Sequence, residues 1–182
     1  MTIEKWEIDS GHSGIHFSVR HMVVAKVRGK FARWHGGVLA EDGDLARAQV
    51  DVVIDASSVE TGVAERDAHL KSPDFLDVTS FPWITFKSSG VEKRSDDLLR
   101  VTGDLTIRGV TREVVLDVEP LGRTKDPWGN ERAGFTATTM VDRKDFGLIW
   151  NQVLEAGGVV VGERVSIEID VEAVKQDSVK AA

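Results

Sequence analysis

The sequence predicts an all-β protein of antiparallel strands, either a closed up-and-down barrel or a sandwich, with one short helical insert. Two observations predict it. Apolar and polar residues alternate with a period of two through most of the chain, the pattern of a sheet with one wetted face. Hairpin-type turn signals fall between the alternating runs. The chain has 182 residues, which makes one domain the default. Gly outnumbers Pro by 17 to 4, as expected where tight turns are many.

The elements follow in order. Strand alternation begins at Trp6, after a short polar start. Ile15, Phe17 and Val19 alternate with His16, Ser18 and Arg20, and Val50, Val52 and Ile54 lie on one parity of a later run. Glu41-Asp42-Gly43-Asp44 reads as a hairpin connection between strands. From Gly62 to Lys71 alternation stops and helix formers dominate, with Thr61 as the expected N-cap. Ser72-Pro73-Asp74 then resembles a second helix start leading into Phe75 and Leu76. Leu99, Val101, Leu105 and Ile107 share a parity with Gly103. Arg94-Ser95-Asp96-Asp97 and Arg108-Gly109-Val110-Thr111 bracket that strand as turns, and Gly109 is expected at positive φ. Asp126-Pro127-Trp128-Gly129 marks a long hairpin whose tip is expected to leave the body. Asn151 to Gly162, interrupted by Gly157-Gly158, reads as a rim loop. Val165, Ile167, Ile169 and Val171 form the last strand, and 175–182 is expected to be a flexible tail.

Composition excludes several functions. With no Cys there are no disulfides, thiolate metal sites or cysteine nucleophiles. A formal net charge of −7 disfavours nucleic acid and anionic membrane surfaces unless a local basic patch defeats the average. No apolar run approaches the ~18–20 residues of a membrane span. No basic start followed by an apolar stretch precedes Trp6, so a cytoplasmic location is expected, or a periplasmic or secreted one if the chain is a processed form.

Motifs for chemistry are few. His12 and His16 share a strand parity but lie about 13 Å apart, too far for one metal. His12 and Ser13 are neighbours that point to opposite faces, which disfavours a direct relay. No HExxH, P-loop or Gly-x-Ser-x-Gly is present. Phe17, Phe31, Phe86 and Phe135 fall on the apolar parity of their strands. They could fill a core or line a cavity, since a barrel of about eight strands can do either.

Several short stretches stand in a fixed order along the chain. They are Asp9-x-x-His12-Ser13-x-x-x-Phe17, Val27-x-Gly29-x-Phe31, Arg66-Asp67-x-His69-Leu70 with Asp74-Phe75, and Phe81-Pro82-x-Ile84-Thr85-Phe86. Gly103-x-Leu105-Thr106-Ile107-Arg108-Gly109-Val110-Thr111 is the most diagnostic, and Arg143-x-Asp145-Phe146-Gly147-Leu148 completes the order. Together they resemble the YceI-like family, the polyisoprenoid-binding, lipocalin-like proteins of bacteria. The resemblance implies an extended lipocalin-like barrel over residues 1–174, enclosing a long apolar pocket for an isoprenoid chain, with no catalytic residue and no required cofactor. The spacings above leave no closed ligand set, so no metal is expected.

The function expected is binding, for storage or transport, of an isoprenoid-type lipid such as a polyprenyl chain or isoprenoid quinone. The expected wall is Phe17, Val19, Phe31, Phe75, Ile84 and Phe86, with Leu105, Ile107, Phe135, Val141 and Phe146. Arg66, Asp67 and His69 are the candidate head-group contacts, and the insert from Gly62 to Leu76 is expected to cover one barrel end. No nucleic acid and no stable membrane insertion are expected, and a homodimer is left open. Two alternatives stand beside this: a filled barrel acting as an interaction or stress-related protein, and an enzyme acting on an isoprenoid-like substrate.

Overall fold

The structure, a computed structural model, describes residues 1–154 and 158–177. Its strands are β1 (Ile3–Ile8), β2 (Gly14–His21), β3 (Ala25–Phe31), β4 (Trp34–Glu41), β5 (Asp44–Asp55) and β6 (Val59–Glu60), then β7 (Trp83–Lys93), β8 (Leu99–Ile107), β9 (Val110–Lys125), β10 (Glu131–Asp142) and β11 (Val161–Lys175). One helix, α1 (Ala64–Lys71), and two short 3₁₀ turns, Ala56–Ser58 and Arg143–Phe146, complete it.

All pairings are antiparallel, and the sheet closes on itself. The first six strands act as three interrupted staves. β1 and β2 both lie along β11, from Trp6 opposite Lys175 to His21 opposite Val161. β3 and β4 run along them, and β5 and β6 run along β3 and β4. The result is an eight-stave up-and-down barrel in which each stave pairs with its sequence neighbour and the last closes on the first. The sandwich alternative is thereby set aside.

Closure needs sharp turns and curvature. Asp42 and Gly43 both have positive φ at 50° and 73°, as do Arg108 and Gly109 at 50° and 71°, the signature of two-residue type I′ hairpins. At Gly109 a Cβ would also lie 2.7 Å from the Phe81 ring, so glycine is required twice over. Breaks of register near Ser88, Gly134 and Val161 bend the long strands around the barrel. Gly103 faces inward, where a Cβ would lie 2.5 Å from the Phe86 ring; the missing side chain is the space that ring occupies.

Four local expectations are corrected. Thr61 is not the cap of α1: Val63 holds that position without a side-chain bond, because the Thr61 hydroxyl donates to Asp67 instead. Ser72-Pro73-Asp74 starts no second helix. The Ser72 hydroxyl donates back to the His69 carbonyl at 2.6 Å, and the chain turns, with Phe75 N bonded to Ser72 O. The Asp126–Gly129 turn forms, but its hairpin does not lift away: Arg132 Nε donates to Asp126 at 2.8 Å, while Nη1 donates to Asp9 and Glu172 at 3.0 and 2.8 Å. Lys175 is not tail but the last residue of β11, paired with Trp6 and bonded to Glu4 at 2.8 Å. Of the remaining expectations, Gly157 and residues 178–182 lie outside the described residues.

Candidate functional site

The inward parity of the staves does not fill the barrel. It leaves a cavity of about 300 Å³, within the range of small-molecule sites. Its wall on β11 runs from Val161 to Val171, about 30 Å of strand, so the space is long and narrow. Among the described residues, no polar atom is exposed on that wall.

The residues named from strand parity, together with Phe75 and Phe146 from the irregular segments, face this space. Phe17, Val19, Phe31, Phe75, Ile84, Phe86, Leu105, Ile107, Phe135, Val141 and Phe146 all line the cavity. Trp34, Leu70, Leu76 and Leu148 join them from segments where alternation gave no direction. The Phe17 and Phe31 rings meet at 5.7 Å between centroids.

The two ends of the cavity differ. At one end lie the hairpins at Asp42, Ser95 and Trp128, and there the inward residues of β1, β10 and β11 converge as Trp6, Ala133 and Ala173, at 4%, 5% and 1% exposure. The cavity reaches the neighbours of this cluster, Ile8, Val38, Phe135 and Val171, and across the barrel Leu45 and Leu99 beside the hairpins, while Trp6 itself is not on its wall. Above the Trp6 ring stand Arg123 and Lys175, at 5.2 and 5.8 Å from its centroid. Sequence reasoning marked Trp6 only as the start of alternation; its role as a plug depends on the closure between β1 and β11.

The opposite end is covered by segments outside the sheet. α1 and the turn after it cross the mouth, placing Leu70, Phe75 and Leu76 on the wall. Arg108, from the β8–β9 hairpin, donates to the carbonyls of Pro73 and Phe75, each at 2.7 Å, and pins that turn. The loop after the Arg143–Phe146 turn adds Trp150, whose ring lies 5.4 Å from Phe75 and 4.6 Å from His69. Arg143 anchors this loop while 3% exposed. Its guanidinium has no carboxylate contact among the described residues and instead donates to four carbonyls: Leu148 at 2.6 Å, Gly162 at 2.7 Å, Trp150 at 2.9 Å and Val161 at 3.2 Å. Burial pushes its pKa below the ordinary value.

The three head-group candidates are placed differently from the wall residues. Arg66 donates from Nε and Nη2 to the hydroxyl and carbonyl of Thr61, at 2.7 and 2.8 Å, and Asp67 accepts from the Thr61 N–H at 2.8 Å. Both fasten α1 to β6. His69 pairs with Asp74 at 2.8 Å, and its side chain is 38% exposed at the rim.

One cluster has metal-ligand character: Asp9, His12 and Glu172 bring ligand atoms within 4.8 Å of one another. The Arg132 guanidinium already bridges its two carboxylates, so the place of a cation is taken by a side chain. The His12 contact, followed by Arg132, holds the Asp9 carboxyl below its ordinary pKa.

Comparison with known proteins follows the same lines. Residues 6–173 match the YceI-like domain. The Shigella flexneri protein YceI is 39% identical over 144 residues, covering 79% of this chain and 75% of that protein. Burkholderia cenocepacia BcnA has a similar solved structure, with a TM-score of 0.79 over 91% of this chain and 98% of that one, at 20% identity. A polyisoprenoid binding domain from Saccharophagus degradans, implicated in plant cell wall breakdown, gives 0.68 over 94% of this chain and 98% of that one, at 16% identity. These two structures share the fold, while the domain match spans the barrel from the Trp6 plug to the end of the closing strand, and on that ground the chain belongs to the YceI-like family.

Proposed function

We propose that this protein binds and carries a long isoprenoid-type lipid, a polyprenyl chain or the tail of an isoprenoid quinone, along the barrel axis. The observation that carries the proposal is the cavity: long, narrow, flanked by the Trp6 cluster at one end, and without an exposed polar atom among the described residues. A branched hydrocarbon chain leaves no polar group stranded against such a wall. The Saccharophagus degradans domain that shares this fold, a polyisoprenoid binding domain, supports the same ligand class.

Magnitudes favour a long chain over a short one. Burial is worth about 0.8 kcal/mol per CH₂, so ten carbons give roughly 8 kcal/mol. Association costs roughly 4–15 kcal/mol in lost freedom, which two isoprene units barely offset. The polar head stays at the lid end, where His69 is the group placed to meet it. Among the described residues, His16, Thr139 and Arg143 line the cavity without exposing a polar atom to it, which favours binding without turnover over an enzyme. The test is native mass spectrometry with lipid extraction of freshly purified protein. A stoichiometric prenyl lipid is expected. Protein that emerges without ligand, and takes up no isoprenoid quinone on titration, overturns the proposal.

A further inference from the structure

The chain averages to −7, yet one region near the lid runs against that average. The β2–β3 hairpin ends in Met22, Val23 and Val24, exposed at 43%, 68% and 84%. Met22 and Val23 both sit at positive φ, 51° and 65°. A β-branched residue is disfavoured there, and no core contact of Val23 explains its choice. The neighbouring loop presents the same chemistry. Between Leu148, which lines the cavity, and Trp150, which packs on Phe75, Ile149 faces outward at 70% exposure, and Val153 follows at 79%. The two loops are joined by a bond from Met22 N to the Val160 carbonyl at 2.8 Å.

Behind this apolar tip the outer face is cationic. Arg20 lies directly across from Lys26, and Arg28 follows one inward residue further along β3. All three are exposed. Like charges directly opposite destabilise a sheet, so the pair needs a reason. Elsewhere Arg33, Arg47 and Lys144 each have a carboxylate within 4 Å; among the described residues none lies that close to Arg20, Lys26 or Arg28. Aliphatic side chains at a tip, with cations that pair with no carboxylate among the described residues set one or two residues back, match the acyl boundary and phosphate layer of an anionic bilayer.

We infer that the lid end of the barrel docks reversibly on an anionic lipid surface through Met22–Val24 and Ile149, with Arg20, Lys26 and Arg28 facing the phosphates. The inference rests on the lipid-carrier reading for its purpose: it sets the covered mouth against the source of the ligand. It needs no membrane-spanning element, and among the described residues no helix is long and apolar enough to be one.

The test is vesicle flotation of the full chain, with phosphatidylglycerol–phosphatidylcholine vesicles against phosphatidylcholine alone, at low and high salt. Binding to the anionic vesicles is expected, with loss in high salt. Val23→Asp is expected to weaken it at least tenfold without unfolding, because Asp tolerates positive φ better than Val. Lys26→Glu should weaken it more than the about fivefold of a single lost cation. Both variants should keep wild-type uptake of a short-tailed isoprenoid quinone in solution. Equal binding to both vesicle types, no binding to either, or self-association through the tip in sedimentation overturns the docking inference. Vesicle binding without quinone uptake instead sinks the carrier reading and leaves docking standing.

Discussion

The two ends of this barrel are shut by different physics. At the plugged end, the sheet does the work itself. Trp6, Ala133 and Ala173 are strand residues, and carboxylates pair two of the cations around them: Lys175 with Glu4, and Arg132 with Asp9, Asp126 and Glu172. At the lid end, nothing that covers the cavity belongs to the sheet. α1, its turn and the Leu148–Trp150 loop are held by aromatic edges and by two arginines that bond to carbonyls. Opening the first end means breaking strand pairing. Opening the second means releasing a few side-chain contacts, which places it at the low-stability end of local unfolding. On the lipid-carrier proposal, the lid past Phe75 is therefore the expected route for a ligand, rather than the Trp6 end.

The strongest way to break this comparison is to remove the anchor of the lid. Arg143→Met leaves the carbonyls of Leu148, Trp150 and Gly162 without their side-chain donor inside the protein, while that of Val161 keeps Asn151 Nδ2. With charged hydrogen bonds worth about 1.5–3 kcal/mol each, partly offset by the apolar replacement, a loss of about 4 kcal/mol is expected in urea unfolding. A loss under 1 kcal/mol would show that the loop is held by something else.

Trp6→Ala attacks the other end. It should cost about 3 kcal/mol, the low side of large aromatic truncations, since the residue sits near a rim. It should also lengthen the cavity, so the variant is expected to accept longer prenyl chains than wild type in lipid extracts. An unchanged ligand length would mean that the plug does not set it.

Phe75→Ala sharpens the contrast on the lid. Removing this ring from the wall should weaken an isoprenoid quinone by about 1–3 kcal/mol, roughly ten- to a hundredfold, in a binding titration. Unchanged affinity with a much lower melting temperature would make Phe75 ordinary core.

The smallest expected effect concerns acid. The Arg132 guanidinium, helped by backbone N–H groups of Asn130 and Trp128, holds Asp126 down to about 2 from its ordinary 3.8. A carboxyl whose folded pKa is lowered contributes stability that is present above the unfolded value and is lost as pH falls through the folded one. The decline belongs between about pH 4 and pH 2. Thermal melts across that window should show a shallower decline for Asp126→Asn than for wild type, while the lid variants keep the wild-type slope.

The wall of the cavity was legible in the sequence because strand parity is local. Once Ile15, Phe17 and Val19 share a face, their direction follows from the backbone alone. The plug was not legible, because Trp6 acquires its meaning from a residue far along the chain, Lys175, across the closing seam. The interruptions of the first three staves hid for a related reason. Asp9-Ser10-Gly11-His12 reads like a turn, and only the shared partner β11 shows that β1 and β2 form one stave. Arg143 sat inside a quoted motif, yet a charged residue gives no hint of burial until the carbonyls around it are in place. The basic patch on β2 and β3 was masked by averaging over an acidic chain. Thr61 and Ser72 misled because short hydroxyl side chains serve caps and turns equally well.

The neighbour-to-neighbour order of the staves has a consequence for how the protein is made. Nearly every pairing can form as soon as the next strand leaves the ribosome, and local pairing of this kind favours fast folding. The exception is the seam. Until the fifteen residues of β11 emerge, the sheet is an open curl with bare edges at β1–β2 and at β10, and its whole apolar interior faces water or a chaperone. Newly made chains are thus most prone to aggregate in the interval just before their last strand appears. A stop or a slow stretch of translation anywhere before Lys175 prolongs that interval, whereas an added tag beyond Lys175 should leave closure untouched.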